Sequence, residues 1–195
     1  MDLEPFVATH LPTTPARVLE VGCGHGALAF AMAGRGYDVL AIDPRAPEGE
    51  LFERVSLEDL ADPGPFAAVV ANRSLHHIHD LHAAIEKIAA LLLTGGRFLL
   101  HEHAWDVVDE PTLRWYNQHG GHGDWRADHA GLHSSEAMRA ALSPWFGERS
   151  LEWTPYLGDE LGLGPGVEEA AIESGEIRAT GFLYVGERLN HEPLE

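Results

Sequence analysis

Glu20-Val-Gly22-Cys23-Gly24-His-Gly26 is the stretch of this chain best suited to ligand chemistry. Its glycines let the backbone turn sharply and approach a bound group closely. An apolar run at 17–21 precedes the loop, and an Ala/Leu/Met-rich helical stretch at 27–35 follows it. The start of such a helix offers unpaired N–H groups and a positive dipole end to an anion or carboxylate. Asp43 closes a second apolar run, 37–42, seventeen residues beyond Gly26. Neighbouring parallel strands end side by side, so Asp43 is placed to accept two hydroxyl protons from a ribose. Loop and acid together point to an adenosine-bearing ligand.

Histidines are the second resource. The chain has 13, and imidazole is the natural general base near neutral pH. His76 and His77 follow a fourth apolar run; His101 and His103 lie two apart on a fifth and share a face of it. These four are the candidate bases, with His119, His122, His129 and His133 as weaker ones. Trp105, Trp115, Tyr116 and Trp125 suit either a packed core or the wall of an aromatic acceptor pocket.

Three functions use these parts. Gly22, Gly24 and Ala27 also satisfy G-x-G-x-x-G/A, which leaves open an NAD(P)-dependent oxidoreductase. That chemistry needs a catalytic acid such as a Tyr-Lys pair, and the only lysine, Lys87, has no tyrosine nearby. A non-catalytic nucleotide- or metal-binding protein would draw on His101-x-His103 and His119-x-x-His122. No cysteine joins those pairs, so no metal is expected. The third is group transfer from an adenosine-bearing donor.

The elements that must position these residues alternate. Strands are read at 17–21, 37–42, 51–55, 66–71 and 97–103, and helices at 27–35 and 80–93, the latter stopped by Gly95-Gly96. Apolar strands between helices argue for a parallel sheet covered on both faces. Only seven residues separate Asp43 from Leu51, so a crossover helix there must be vestigial or replaced by a tight loop. After His103 come a helix at 110–118, a Gly/His loop and a helix from Ser134 or Ser135 to Leu142. Asp106, Asp109 and Glu110 read as a helix-start charge cluster. Residues 148–155 and 180–188 read as late strands, joined by a Gly-rich loop and a short helix near 166–174.

With 195 residues, 45% of them apolar, the chain has the size of one domain with a sizeable core. Its 13 basic and 31 acidic residues give a charge of −18, which argues against nucleic acid and anionic membrane as partners. The lone Cys23 excludes an intrachain disulfide, and Met1-Asp-Leu-Glu-Pro-Phe is no signal peptide; a cytoplasmic location is expected.

The same residues carry a resemblance. Val18-Leu-Glu-Val-Gly-Cys-Gly-His-Gly26 resembles the first motif of class I S-adenosylmethionine-dependent methyltransferases, of the methyltransferase-11/12 type. Phe66-Ala-Ala-Val-Val-Ala-Asn-Arg-Ser-Leu-His-His-Ile-His-Asp80 is similar to their fourth-strand segment. Leu91-Leu-Leu-Thr-Gly-Gly-Arg-Phe-Leu-Leu100 is similar to their leucine, Pro-Gly-Gly, strand signature, with Thr94 in place of proline. The resemblance covers residues 17–103. It implies an α/β, Rossmann-like seven-stranded, mostly parallel sheet of order 3-2-1-4-5-7-6, its last strand antiparallel, with helices on both faces. It also implies a single domain: an arm at 1–16, a cofactor core at 17–103, a variable acceptor segment at 104–147, and late strands and tail at 148–195.

Carried onto this chain, the resemblance assigns Gly22, Cys23, Gly24 and Gly26 to the methionine part of S-adenosyl-L-methionine, and Glu20 to its ammonium. Asp43 would hold the ribose and Pro44 would lie near the adenine. Ser56 stands where the family often has an acid toward the adenine amino group, with Leu57 as a wall. Asn72 and Arg73 would offer a backbone carbonyl to the ammonium. The implied function is methyl transfer to an O, N or C nucleophile of a small molecule.

Overall fold

The computed structural model describes residues 3–61 and 64–190. In chain order the elements are α1 (Glu4–His10), β1 (Arg17–Val21), α2 (Ala27–Gly34), β2 (Asp38–Ile42), β3 (Phe52–Glu53) and β4 (Phe66–Asn72). They continue with α3 (Leu81–Leu91), β5 (Leu92–His103), α4 (Glu110–Gln118), α5 (Trp125–His129) and α6 (Ser135–Leu142). Last come β6 (Phe146–Thr154), α7 (Leu157–Glu160), α8 (Val167–Glu173) and β7 (Gly181–Arg188). The strands form one sheet of order β3-β2-β1-β4-β5-β7-β6. β1 to β5 pair in parallel, and β7 runs antiparallel between β5 and β6. This is the expected architecture.

Alternation along each strand explains why the sheet is buried on both sides. Leu19, Val21, Val69 and Phe98 pack on one face against Ile85 and Ile88 of α3 and Met138 of α6. Val18, Val39, Ala68 and Leu99 pack on the other against α2, through Met32, and α1. Helix α1 lies within the arm, where no element was expected. Leu3, Val7 and Leu11 recur every four residues and are buried, while Pro5 sits in the first turn, where a missing N–H costs nothing.

β3 and β5 differ in extent from the expected strands, and β6 begins two residues early, at Phe146. β3 is only two residues long, because no helix crosses between β2 and β3 and a turn begun by Ala46 N–H bonding to Asp43 O returns the chain at once. β5 starts at Leu92, so Gly95-Gly96 does not separate helix from strand. Instead, Gly95 at φ +71° lets β5 shift register against β4 between Phe66 and Ala68.

The acidic cluster serves helix starts, as expected, but at two helices. Asp109 Oδ1 accepts from Thr112 N at 3.1 Å and caps α4. Asp106 accepts from Ser135 N at 2.7 Å and Ser135 Oγ at 2.9 Å, tying α6 to the end of β5. Trp115, Tyr116 and Trp125 belong to a third core with Leu157, Ala171 and Ile177.

Candidate active site

The glycine loop is held to the tip of β2. Gly22 N and Cys23 N both donate to Ile42 O, at 2.9 and 3.1 Å. Gly22 and Gly26 are glycine for packing: a Cβ would lie 2.5 Å from Ser74 Cβ at the first and 2.4 Å from the Phe52 ring at the second. Gly24 differs. At φ +52° it has open space on its Cβ side, so its backbone is accessible to a ligand. Its N–H donates to Asp43 Oδ2 at 3.1 Å, and Arg45 N donates to Oδ1 at 2.7 Å. The Asp43 carboxylate therefore bridges the tips of β1 and β2. Each of its oxygens keeps a lone pair for a further donor.

Cys23 contributes its peptide and not its side chain. The thiol is buried in the core beside α1 and α2. Burial first, then Glu20 and Asp43, push it up to about 12. Glu20 lies behind the loop, 3% exposed, and its Oε2 has no hydrogen-bond partner among the described residues. Burial, aided by Asp43, raises this carboxyl to about 8 against the opposing backbone N–H of Ala29.

In front of the loop is a cleft of about 530 Å³. Its lining includes Gly22, Asp43, Pro44, Ser56, Leu57 and Glu58 from the first strands and their loops, and Arg73, Ser74, His77, Ile78 and His79 from the stretch after β4. Ser56 Oγ bonds Asp59 Oδ2 at 2.9 Å and so shapes its own turn. Lys87 Nζ donates to Glu58 O and Leu60 O, at 2.9 and 2.7 Å, and clamps this wall onto α3. The only lysine thus has a structural partner at both of these carbonyls, and no Tyr-Lys acid pair forms on it.

Glu102 holds the stretch after β4 that lines the cleft. It is fully buried on β5, and its Oε1 accepts from Ser74 N at 2.7 Å and Leu75 N at 2.6 Å. Its Oε2 is bonded by His76 Nδ1. That contact ties His76 to Glu102 and keeps the turn at Leu75–His77 closed. Ser74 Oγ also donates to Val21 O at 3.2 Å, so this turn is pinned to β1. Glu102 was not singled out from the sequence. The available signal was an acid set between two histidines in an otherwise apolar strand.

The four candidate bases separate. His77 lines the cleft, its ring 4.0 Å from that of His76. Burial, and then His76, lower its pKa from the ordinary histidine value. His76 is buried behind it. His101 and His103 do share a face, but both are buried away from the cleft. His101 Nδ1 meets Asn72 Oδ1 at 2.9 Å, and His103 stacks on Tyr156 at 4.3 Å. Burial takes them down to about 4 and about 3, so both are neutral at pH 7. Three of the later histidines serve structure: His119 and His129 donate Nδ1–H to Trp115 O and Trp125 O, and His133 donates Nε2–H to Ile78 O. Among the described residues, no three His, Cys, Asp or Glu side chains are grouped to hold a metal ion.

A family model described as a methyltransferase domain matches residues 3–154. The chain belongs to the class I, S-adenosylmethionine-dependent methyltransferase family. It is 40% identical over 111 residues to a ubiquinone biosynthesis O-methyltransferase of Xanthomonas euvesicatoria, a match covering 49% of this chain and 46% of that protein. The chain thus spans about half the length of that relative. The fold is shared with an S-adenosylmethionine-dependent methyltransferase of Mesorhizobium loti, at TM-score 0.64 and 18% identity, covering 94% of this chain and 96% of that one. It is shared too with a geranyl diphosphate C-methyltransferase of Streptomyces coelicolor, solved with Mg2+, geranyl-S-thiolodiphosphate and S-adenosyl-L-homocysteine. There the TM-score is 0.63, with 18% identity and coverage of 95% and 75%. No helix among the described residues is long and apolar enough to cross a membrane.

Proposed function

We propose that the cleft binds S-adenosyl-L-methionine with its adenosine over Asp43, Pro44, Ser56 and Leu57, and its methyl group toward His77. The reading is carried by one observation: Asp43, Gly22 and a histidine, His77, line a single cleft. Asp43 takes the ribose hydroxyls, and the glycine loop at Gly22, Cys23 and Gly24 lies against the methionine part. Leu57 forms an apolar wall against the adenine. The carbonyls of Asn72 and Arg73, with Glu20, face the ammonium. The acceptor is a small molecule, the chain works as one domain in the cytoplasm, and residues 104–147 complete the acceptor side. The buried single thiol and the net charge of −18 support that location and that class of acceptor.

A sulfonium needs no activation, so the protein's task is to align nucleophile, methyl carbon and sulfur. His77 removes the acceptor's proton; His76, locked on Glu102, positions it. Because burial lowers the His77 pKa, its neutral, basic form already prevails at pH 7. Methyl transfer should therefore rise on the acid side with an apparent pKa below the ordinary histidine value and level off above it. A His77→Gln variant that keeps this acid limb would remove His77 from the mechanism.

Glu20 supplies a test that needs no acceptor. Its folded-state pKa of about 8 exceeds the ordinary 4.5, so in the free protein it holds a proton that the unfolded chain has released. That difference erodes stability as pH rises between those two values. An ammonium placed beside it favours the carboxylate and expels the proton. Calorimetry with S-adenosyl-L-homocysteine at pH 7, in buffers of different ionisation enthalpy, should report release of roughly one proton. Glu20→Gln should abolish it. Binding of NAD and of neither sulfur nucleoside would overturn the whole assignment.

A further inference from the structure

Arg73 is the one non-glycine residue with positive φ, +53°, among the described residues. Side-chain-bearing residues avoid this region, and those held there cluster at functional sites. Three contacts enforce it here. Arg73 N donates to His101 O at 2.8 Å, its Nε donates to Tyr156 OH at 2.9 Å, and its guanidinium carbon lies 4.4 Å from the Tyr156 ring centre. Tyr156 is fixed in turn: its ring is stacked on His103, and its backbone N–H is bonded to buried Glu168 at 2.9 Å.

The result is a guanidinium aimed by design but not neutralised. Among the described residues, seven other arginines reach a carboxylate. In a chain with 31 acids, Arg73 has only a phenol as partner, although it is exposed and lines the cleft. Glu102, the nearby buried acid, is already taken by Ser74 N, Leu75 N and His76. The acids that line the cleft are Asp43 and Glu58, and among the described residues neither makes a hydrogen bond or ion pair with the Arg73 guanidinium. Tyr156 occupies Nε and leaves the two Nη groups, with four N–H donors in fork geometry. A fork of that kind matches the two oxygens of a carboxylate or phosphate.

We propose that the methyl acceptor carries an oxyanion, a carboxylate or a phosphate, and that the Arg73 guanidinium holds it at the His77 end of the cleft. This rests on the cofactor reading above, which puts the methyl group at that end. Tyr156 acts as a positioning residue for Arg73.

The test titrates the S-adenosyl-L-homocysteine complex with benzoate, phenyl phosphate and neutral benzyl alcohol, following the Arg73 Nε resonance and the binding heat. At least one anion should bind more tightly than the alcohol and move that resonance, and the tighter anion tells carboxylate from phosphate. Arg73→Gln should weaken the anion roughly tenfold or more, and Arg73→Lys by less, as for a hydrogen bond between charged groups. Thermal unfolding would verify that both variants are folded. Equal anion affinity in Arg73→Gln and wild type overturns the proposal, as does failure of both anions to bind wild type at millimolar concentration. Failure of the wild type to bind S-adenosyl-L-homocysteine would overturn the cofactor reading and this proposal with it. Nucleoside binding without an Arg73-dependent anion overturns the proposal alone.

Discussion

Glu102→Ala should destabilise the fold by about 3 kcal/mol or more, since three buried donors lose their acceptor. The carboxylate is fully buried and is the acceptor for two backbone N–H groups and His76 Nδ1, with His103 N a further 3.3 Å contact. Alanine leaves these donors in the core without an acceptor, and each orphan costs about 1–3 kcal/mol. Glu102→Gln keeps the volume and one carbonyl oxygen for the Ser74 and Leu75 N–H groups, so it should lose much less. Urea unfolding midpoints separate the two. Since Ser74 packs on Gly22 and bonds Val21 O, the alanine variant should also bind S-adenosyl-L-homocysteine more weakly. A stability loss below about 1 kcal/mol, the net worth of one ordinary hydrogen bond, would show that this lining of the cleft is held by something else.

Asp43→Ala should weaken S-adenosyl-L-homocysteine binding by about 3 kcal/mol or more, roughly a hundredfold. The estimate takes two ribose hydroxyls at about 1.5–3 kcal/mol each, the worth of a hydrogen bond to a charged group. The loss has two sources. The hydroxyls lose their acceptor, and the Gly24 and Arg45 N–H groups that shape the loop lose theirs. Asp43→Asn retains one acceptor oxygen and should fall between alanine and wild type. Calorimetry on the three proteins measures this directly. An unchanged dissociation constant in Asp43→Ala would remove the ribose from Asp43.

Much of the framework was legible because its signals are local. The apolar run, glycine loop and helix at residues 17–34 form one continuous stretch, and Asp43 directly follows the next strand. Asp80 caps α3 through Ala83 N at 3.0 Å, and Ser134 caps α6 through Ala137 N at 3.0 Å. Each of those caps involves residues three apart and needs nothing from elsewhere. The shared face of His101 and His103 follows from strand periodicity alone.

Periodicity could not say what that face meets. Tyr156 comes from beyond β6 to stack on His103, which turns a pair of plausible bases into buried neutral rings. Gly26 is explained by a phenylalanine 26 residues later, Phe52, and Gly22 by Ser74. α1 was missed because an arm with prolines at its start reads as irregular until α2 supplies an apolar surface to bury Val7.

From its order of residues alone the protein had a parallel sheet, a glycine-rich turn between strand and helix, and an acid at the neighbouring strand's tip. These depend on backbone sterics and on the burial of apolar side chains, which act over a few residues. Tertiary packing decided which ionisable groups face the cleft and which are spent inside. Glu102 closes a turn 27 residues before it, His77 lines the cleft while His76 is buried behind it, and Arg73 is aimed by a tyrosine 83 residues away. Burial and hydrogen bonding set the charge and direction of those groups, and both depend on neighbours that only the folded chain brings together.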